Sequence, residues 1–187
     1  MTRAAVLLAA GASRRFGPSD KLLAPLGNKP LVTHAADALR ASDLDVLIAV
    51  VRSKEVAALL AGFETVIPDK ADPKQSASLR AGVLKARDLG ATQITVVLGD
   101  MPFVSASMID VVTQECTETR PAAAWDGTRP IPPVCFPNVF FDDLLALHGD
   151  RGAASLLSDA VFISASGHAL HDIDTRDALT QAAQKLD

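Results

Sequence analysis

Three short apolar runs, at residues 4–8, 46–51 and 94–98, constrain this chain more than any other feature it carries. Each stops at turn residues, and none alternates with polar residues as a sheet with one wet face would. Each therefore reads as a strand covered on both sides. Between them the apolar spacing is helical. Residues 31–41 follow Pro30, which suits a helix start, residues 76–89 end at Gly90, and residues 105–116 open on Ser105 as N-cap. A shorter helix is predicted over 55–61 and a third strand over 65–67. Strands alternating with helices of about 10–15 residues make βαβ units. The expected fold is α/β, three-layered and Rossmann-like, with a mostly parallel (mixed) central sheet.

Beyond residue 120 the pattern changes. Residues 121–137 carry five prolines and predict extended edge strands and turns. Helices are predicted over 138–147 and 152–157, a late strand over 161–163 and a closing helix over 176–186. With 187 residues and no linker or repeat, the chain is expected to form one domain, 1–187.

Composition excludes several functions. Although 49% of the residues are hydrophobic, no apolar run reaches the roughly 18–20 residues that cross a bilayer. The run ending at Ala9-Ala10-Gly11 is too early and too short for a secretory signal, so the expected location is cytoplasmic. Net charge is −4 and the 18 basic residues are scattered, which argues against a nucleic-acid partner. Cys116 and Cys135 form no CxxC pair and have no histidine at metal-ligand spacing, so both read as ordinary reduced thiols.

Open parallel sheets bind ligands at the carboxyl ends of their strands, here after Leu8, Ile67 and Leu98. After the first strand comes Ala9-Ala10-Gly11-Ala12-Ser13-Arg14-Arg15-Phe16-Gly17-Pro18-Ser19-Asp20-Lys21. Glycine lets backbone N–H groups close on anionic oxygens, and Arg15 and Lys21 add positive charge. The stretch is neither a P-loop nor a dinucleotide fingerprint, and a solvated surface turn is the alternative. Asp100, in Leu98-Gly99-Asp100-Met101-Pro102, is a carboxylate delivered by an apolar strand, which suits a Mg²⁺ ligand or, more plainly, a turn cap. In Asp172-Ile173-Asp174-Thr175 the two carboxylates share a face if the segment is extended, and Asp174 is also placed to cap the last helix. Asp100 and Asp174 together would hold one Mg²⁺. His34 reads as structural, and His171 as a neighbour of Asp172 rather than a ligand. Trp125 lines a cleft or covers the sheet edge.

Taken together, residues 8–21, Gly27-Asn28-Lys29-Pro30-Leu31, the Asp100 segment and the Asp174 segment resemble the MobA-like molybdopterin nucleotidyltransferases along essentially the whole chain. Gln75-Ser76-Ala77-Ser78-Leu79-Arg80-Ala81-Gly82 and Gly149-Asp150-Arg151-Gly152-Ala153 are similar to the cytidylyltransferase branch of that family. The resemblance implies a nucleotide site at Ala9, Ala10, Gly11, Ser13, Arg15 and Lys21, with Ser76 and Ser78 near base and ribose. It implies Mg²⁺ on Asp100 and Asp174, catalysis by Arg15, Lys21 and Asp100, and Arg151 toward the acceptor. The implied reaction is transfer of CMP from CTP to molybdenum-molybdopterin, giving the cytosine dinucleotide and pyrophosphate. A molybdoenzyme or its chaperone would be a transient partner.

GTP as donor, another phosphorylated acceptor, and a non-catalytic cofactor carrier are the alternatives. An intact Lys21, Asp100 and Asp174 favour catalysis over the last. Relatives that use GTP usually carry Leu-Ala-Gly-Gly where this chain has Leu8-Ala9-Ala10-Gly11. A methyl at Ala10 in the base pocket would exclude a purine, unless it only packs against the first strand. The chain departs from the family pattern at residues 129–134, and at Phe16 in place of the commoner methionine.

Overall fold

The computed structural model describes residues 1–11, 15–17, 19–69, 75–149, 153–165 and 168–185. Strand β1 is Arg3–Ala9, and a single 3-10 turn at Lys21–Leu23 leads to the hairpin β2 (Pro25–Leu26) and β3 (Lys29–Pro30). Helix α1 follows directly at Leu31–Arg40, then β4 (Val46–Val51), α2 (Lys54–Ala58) and β5 (Glu64–Val66). Helix α3 is Gln75–Asp88, β6 Gln93–Leu98 and α4 Ala106–Glu115, whose N-cap Ser105 accepts from the Met108 amide. The last third holds β7 (Ala122–Trp125), β8 (Pro130–Pro137), α5 (Phe141–Leu145), β9 (Val161–Ser164) and α6 (Arg176–Ala183).

Among the described residues, seven strands form one sheet in the order β5-β4-β1-β6-β8-β7-β9. The β5-β4-β1-β6 half is parallel, as the apolar runs predict, while β8 is antiparallel to both β6 and β7. Side chains alternate across β1, and each face finds its own cover. Ala5, Leu7 and Ala9 pack with Ala35 and Leu39 of α1 and with Ile109 and Val112 of α4. Val6 and Ala10 face Leu79 and Val83 of α3, in the cluster that also holds Phe141 and Leu144 of α5. Gly82 is what lets α3 come so close: a Cβ there would lie 2.4 Å from Val6 Cγ1. Gly90 ends that helix region at a φ of +74°, a value a side chain resists.

The proline-rich stretch corrects an expectation. β8 is interior, not an edge, and its prolines sit at or beyond the ends of its pairing with β6, Pro137 opposite Gln93. Val134, Cys135 and Phe136 pair with Val96, Thr95 and Ile94, whereas Pro130, Pro132 and Pro133 lie beyond the reach of β6. β7 meets that proline region across a register shift between Ala123 and Ala124. The true edges are β5 and β9.

Several shorter elements also differ. The predicted helix over 138–147 is a 3-10 turn at Asn138–Phe140 running into α5, and Ala153–Leu156 is 3-10 rather than α-helical. The third strand stops at Val66, leaving Ile67 exposed, and α6 is assigned only through Ala183. No described helix is long and apolar enough to cross a membrane.

Candidate active site

The site begins where β1 and β6 end side by side. The Gly99 amide donates to the Leu8 carbonyl at 3.0 Å, carrying the pairing one residue past the strand and fixing where Asp100 emerges. The Asp100 carbonyl in turn accepts from the Ile173 amide at 2.9 Å, which binds the chain before α6 to this sheet end. Ile173 is buried against Leu26, Leu31 and Ala182, so the carboxylates on either side of it project away from that cluster. One oxygen from each of Asp100, Asp172 and Asp174 lies within 4.8 Å of the others. The role of N-cap to α6 goes to Thr175, whose hydroxyl accepts from the Ala178 amide at 3.1 Å, so Asp174 is free of it.

Lys21 reaches the same place from the other side. Asp20 accepts from the Leu22 amide and starts the 3-10 turn that carries Lys21 inward. The Lys21 Nζ donates to Asp100 Oδ2 at 2.6 Å and to Asp174 Oδ1 at 2.7 Å, and its side chain is only 8% exposed. Arg15 Nη1 closes on the outer oxygen, Asp174 Oδ2, at 2.9 Å from a largely exposed position. Arg176 keeps the preceding loop near by donating to the Phe16 carbonyl and stacking over the Phe16 ring at 5.4 Å.

The electrostatics follow from burial and pairing. Burial alone would depress the Lys21 ammonium, but attraction and hydrogen bonding to Asp100 and Asp174 outweigh it and raise its pKa above the ordinary value. Lys21 is a fixed cation. Burial pushes the Asp100 carboxyl up, contact with Lys21 pulls it part of the way back, and the Asp172 charge adds to the rise. The hydrogen bond from Lys21 holds Asp174 below the usual carboxylate range. Asp100 Oδ1 is buried and has no hydrogen-bond partner among the described residues. Three converging carboxylates, one with an unsatisfied oxygen, fit a hard divalent cation.

Beside this cluster is a cavity of about 320 Å³ beneath the start of α3. Leu8, Leu79, Leu98, Ile131 and Leu157 make it mostly apolar, while Ser76, Arg129 and Asp172 give it polar points. Arg129 and the start of β8 carry no recognisable signal in sequence, where residues 129–134 show only a departure from pattern. Asp126 positions them: its Oδ1 accepts from the Thr128 and Arg129 amides and from the Thr128 hydroxyl.

The structure brings together Arg15, Lys21, Asp100 and Asp174, with Asp172 as a third carboxylate. Ser76 and Ser78 are in the first turn of α3, as the helical spacing predicts, both buried, and Ser76 accepts from Arg80. Ala9 and Ala10 are core residues on opposite faces of the sheet. The Ala10 methyl, 5% exposed, packs beneath α3. Gly11 is exposed, with nothing within 4 Å of a Cβ built there. Ser13 and Arg151 lie outside the described residues. His171 is exposed and meets the His168 ring edge-on, Trp125 lies 5.0 Å from Phe162 with the rings tilted, and His34 bonds the Leu26 carbonyl.

A lysine and three carboxylates meet at one end of a mixed sheet covered by helices on both faces. Residues 5–168 match the model of the MobA-like NTP transferase domain, and the chain belongs to that family. The chain is 29% identical to the purine catabolism protein PucB of Bacillus subtilis, over 91% of its own length and 90% of that relative. It is 33% identical to a probable molybdenum cofactor guanylyltransferase of Pyrococcus horikoshii, over 64% of its length and 59% of the relative's. A nucleotidyl transferase from Methanothermobacter thermautotroptrophicus has the same fold, with a TM-score of 0.85 at 22% identity over 98% of this chain and 97% of that one.

Proposed function

We propose that this protein transfers a nucleotide from a nucleoside triphosphate to the phosphate of a molybdopterin-type acceptor, with release of pyrophosphate. The observation that carries the reading is the meeting of Lys21 with Asp100, Asp172 and Asp174 beside the apolar cavity. A carrier that only held the cofactor would have no use for a buried lysine among carboxylates.

In this reading the triphosphate lies on the chain after β1, at Gly11 and Arg15, with Lys21 turned toward its leaving phosphates. An oxygen of the acceptor phosphate bonds to the α-phosphorus. The bond from that phosphorus to its bridging oxygen breaks, and pyrophosphate carries away the electron pair. Phosphate is already ionised, so the protein need supply no base. Its residues position the two anions and offset their charge. When bound, Mg²⁺ on Asp100, Asp172 and Asp174 supplies two further positive charges to the phosphate oxygens. The cavity takes the flat heterocycle of the acceptor, with Arg129 and Ser76 as its polar contacts.

GTP is the favoured donor, on the names of the guanylyltransferase relatives and on the burial of the Ala10 methyl. Cytidylyl transfer is the second reading, and it keeps one observation, the Leu8-Ala9-Ala10-Gly11 sequence. Incubation with GTP or CTP, Mg²⁺ and molybdenum-loaded molybdopterin separates them, since the two dinucleotide products differ in mass. Pyrophosphate from neither donor would leave the carrier.

A further inference from the structure

The carboxylates of this site are neutralised in part by a residue of the chain itself, Lys21. We infer that the Lys21 ammonium occupies the cation position of the free enzyme, so that divalent metal enters only as the triphosphate draws Lys21 away. The inference rests on the metal-site reading above and concerns the order in which that site is filled.

Four observations carry it. Lys21 Nζ bonds Asp100 and Asp174 at once, at 2.6 and 2.7 Å, so the ammonium already links two of the three converging carboxylates. Its stem is buried, and the ammonium gains two charge-assisted hydrogen bonds in exchange for leaving water. Asp172 stands close by without a bond to Lys21, and Asp100 Oδ1 is unsatisfied, so the cluster has more acceptor capacity than one ammonium uses. Arg15 reaches only the outer oxygen of Asp174 and leaves the inner position to Lys21.

Charge then sets the order. A divalent ion held by Asp100 and Asp174 would meet the Lys21 ammonium, which contacts both residues, at close range. Like charges at such separations shift a binding equilibrium by about 10- to 1,000-fold. Triphosphate oxygens relieve the conflict, because they accept the Lys21 hydrogen bonds and free the carboxylates together. Lys21 thereby couples the two ligands. Metal binding by the nucleotide-free enzyme is suppressed, and nucleotide binding lifts the suppression.

The test is Mn²⁺ binding to the full chain without nucleotide, read from the electron paramagnetic resonance signal of free Mn²⁺. Lys21→Met, which keeps the stem and removes the charge, is expected to bind Mn²⁺ at least about 10-fold more tightly than the unmutated protein. Adding Asp100→Asn is expected to abolish the gain. An Mn²⁺ affinity in Lys21→Met that is unchanged or weaker, while Asp100→Asn still weakens it, would overturn the inference and leave the metal site standing. Indifference of Mn²⁺ to Asp100→Asn would instead bring down the metal site itself. Lys21→Gln serves as the companion variant should Lys21→Met not fold. In either variant Mn²⁺ should raise the melting temperature more than it does in the unmutated protein, and an equal rise would count against the inference.

Discussion

Lys21 and Ala10 lie eleven positions apart in one motif, and their fates in the fold are opposite. Lys21 turns inward onto two carboxylates, whereas Ala10 turns into the core. Both facts come from where the chain leaves β1. Strand alternation continues through Ala10, so its methyl belongs to the α3 face, and only beyond it is the backbone free to serve a ligand. Chemistry pointed to Lys21 because a cation on a glycine-containing stretch after a buried strand suits anionic oxygens. Nothing in the letters distinguishes a methyl that lines a pocket from one that packs a layer. Lys21→Ala is expected to lower kcat/KM by on the order of 10²–10³, the scale for one preorganised charge contact, measured as pyrophosphate release. Full activity in that variant would remove Lys21 from the mechanism.

At the scale of elements, the packing of α3 on β1 rests on the missing side chain at Gly82. Gly82→Ala would drive a methyl into Val6 Cγ1, with Val50 Cγ2 only 3.2 Å away. Overpacking of this kind costs about 1–3 kcal/mol, and chemical denaturation should show a midpoint lowered accordingly at an unchanged slope.

The turn between β7 and β8 makes a separate prediction. The Thr128 hydroxyl and the Arg129 and Thr128 amides hold the Asp126 carboxyl at about 2. Its folded pKa lies below the ordinary value of about 3.9, so whatever it adds to stability is complete above that value. The contribution is lost as pH falls through about 2. NMR titration of Asp126 should find the low value, and Asp126→Ala should raise KM for the acceptor by loosening Arg129.

The parallel half of the sheet was legible because continuous apolar runs admit few other homes. The interior place of β8 was not, since proline density reads as an edge unless the pairing register is known. The carboxylate pair was legible from two-residue spacing. The cavity was not, because it is assembled from β1, α3, β6, β8 and the segment at 153–157, which are drawn from the whole length of the chain.

For the whole molecule, three distant stretches reach one point. Arg15 and Lys21, Asp100, and Asp172 with Asp174 meet at one end of the sheet, and the cavity opens beside them. The central claim is that this point joins a nucleotide to a phosphorylated acceptor. The direct measurement is mass analysis of the product after incubation with Mg²⁺, molybdenum-loaded molybdopterin and GTP or CTP in parallel, with pyrophosphate quantified in the same samples. One dinucleotide formed for each pyrophosphate released, more from GTP than from CTP, is the expected result. Cofactor bound by the protein with neither dinucleotide nor pyrophosphate formed from any donor would contradict the claim.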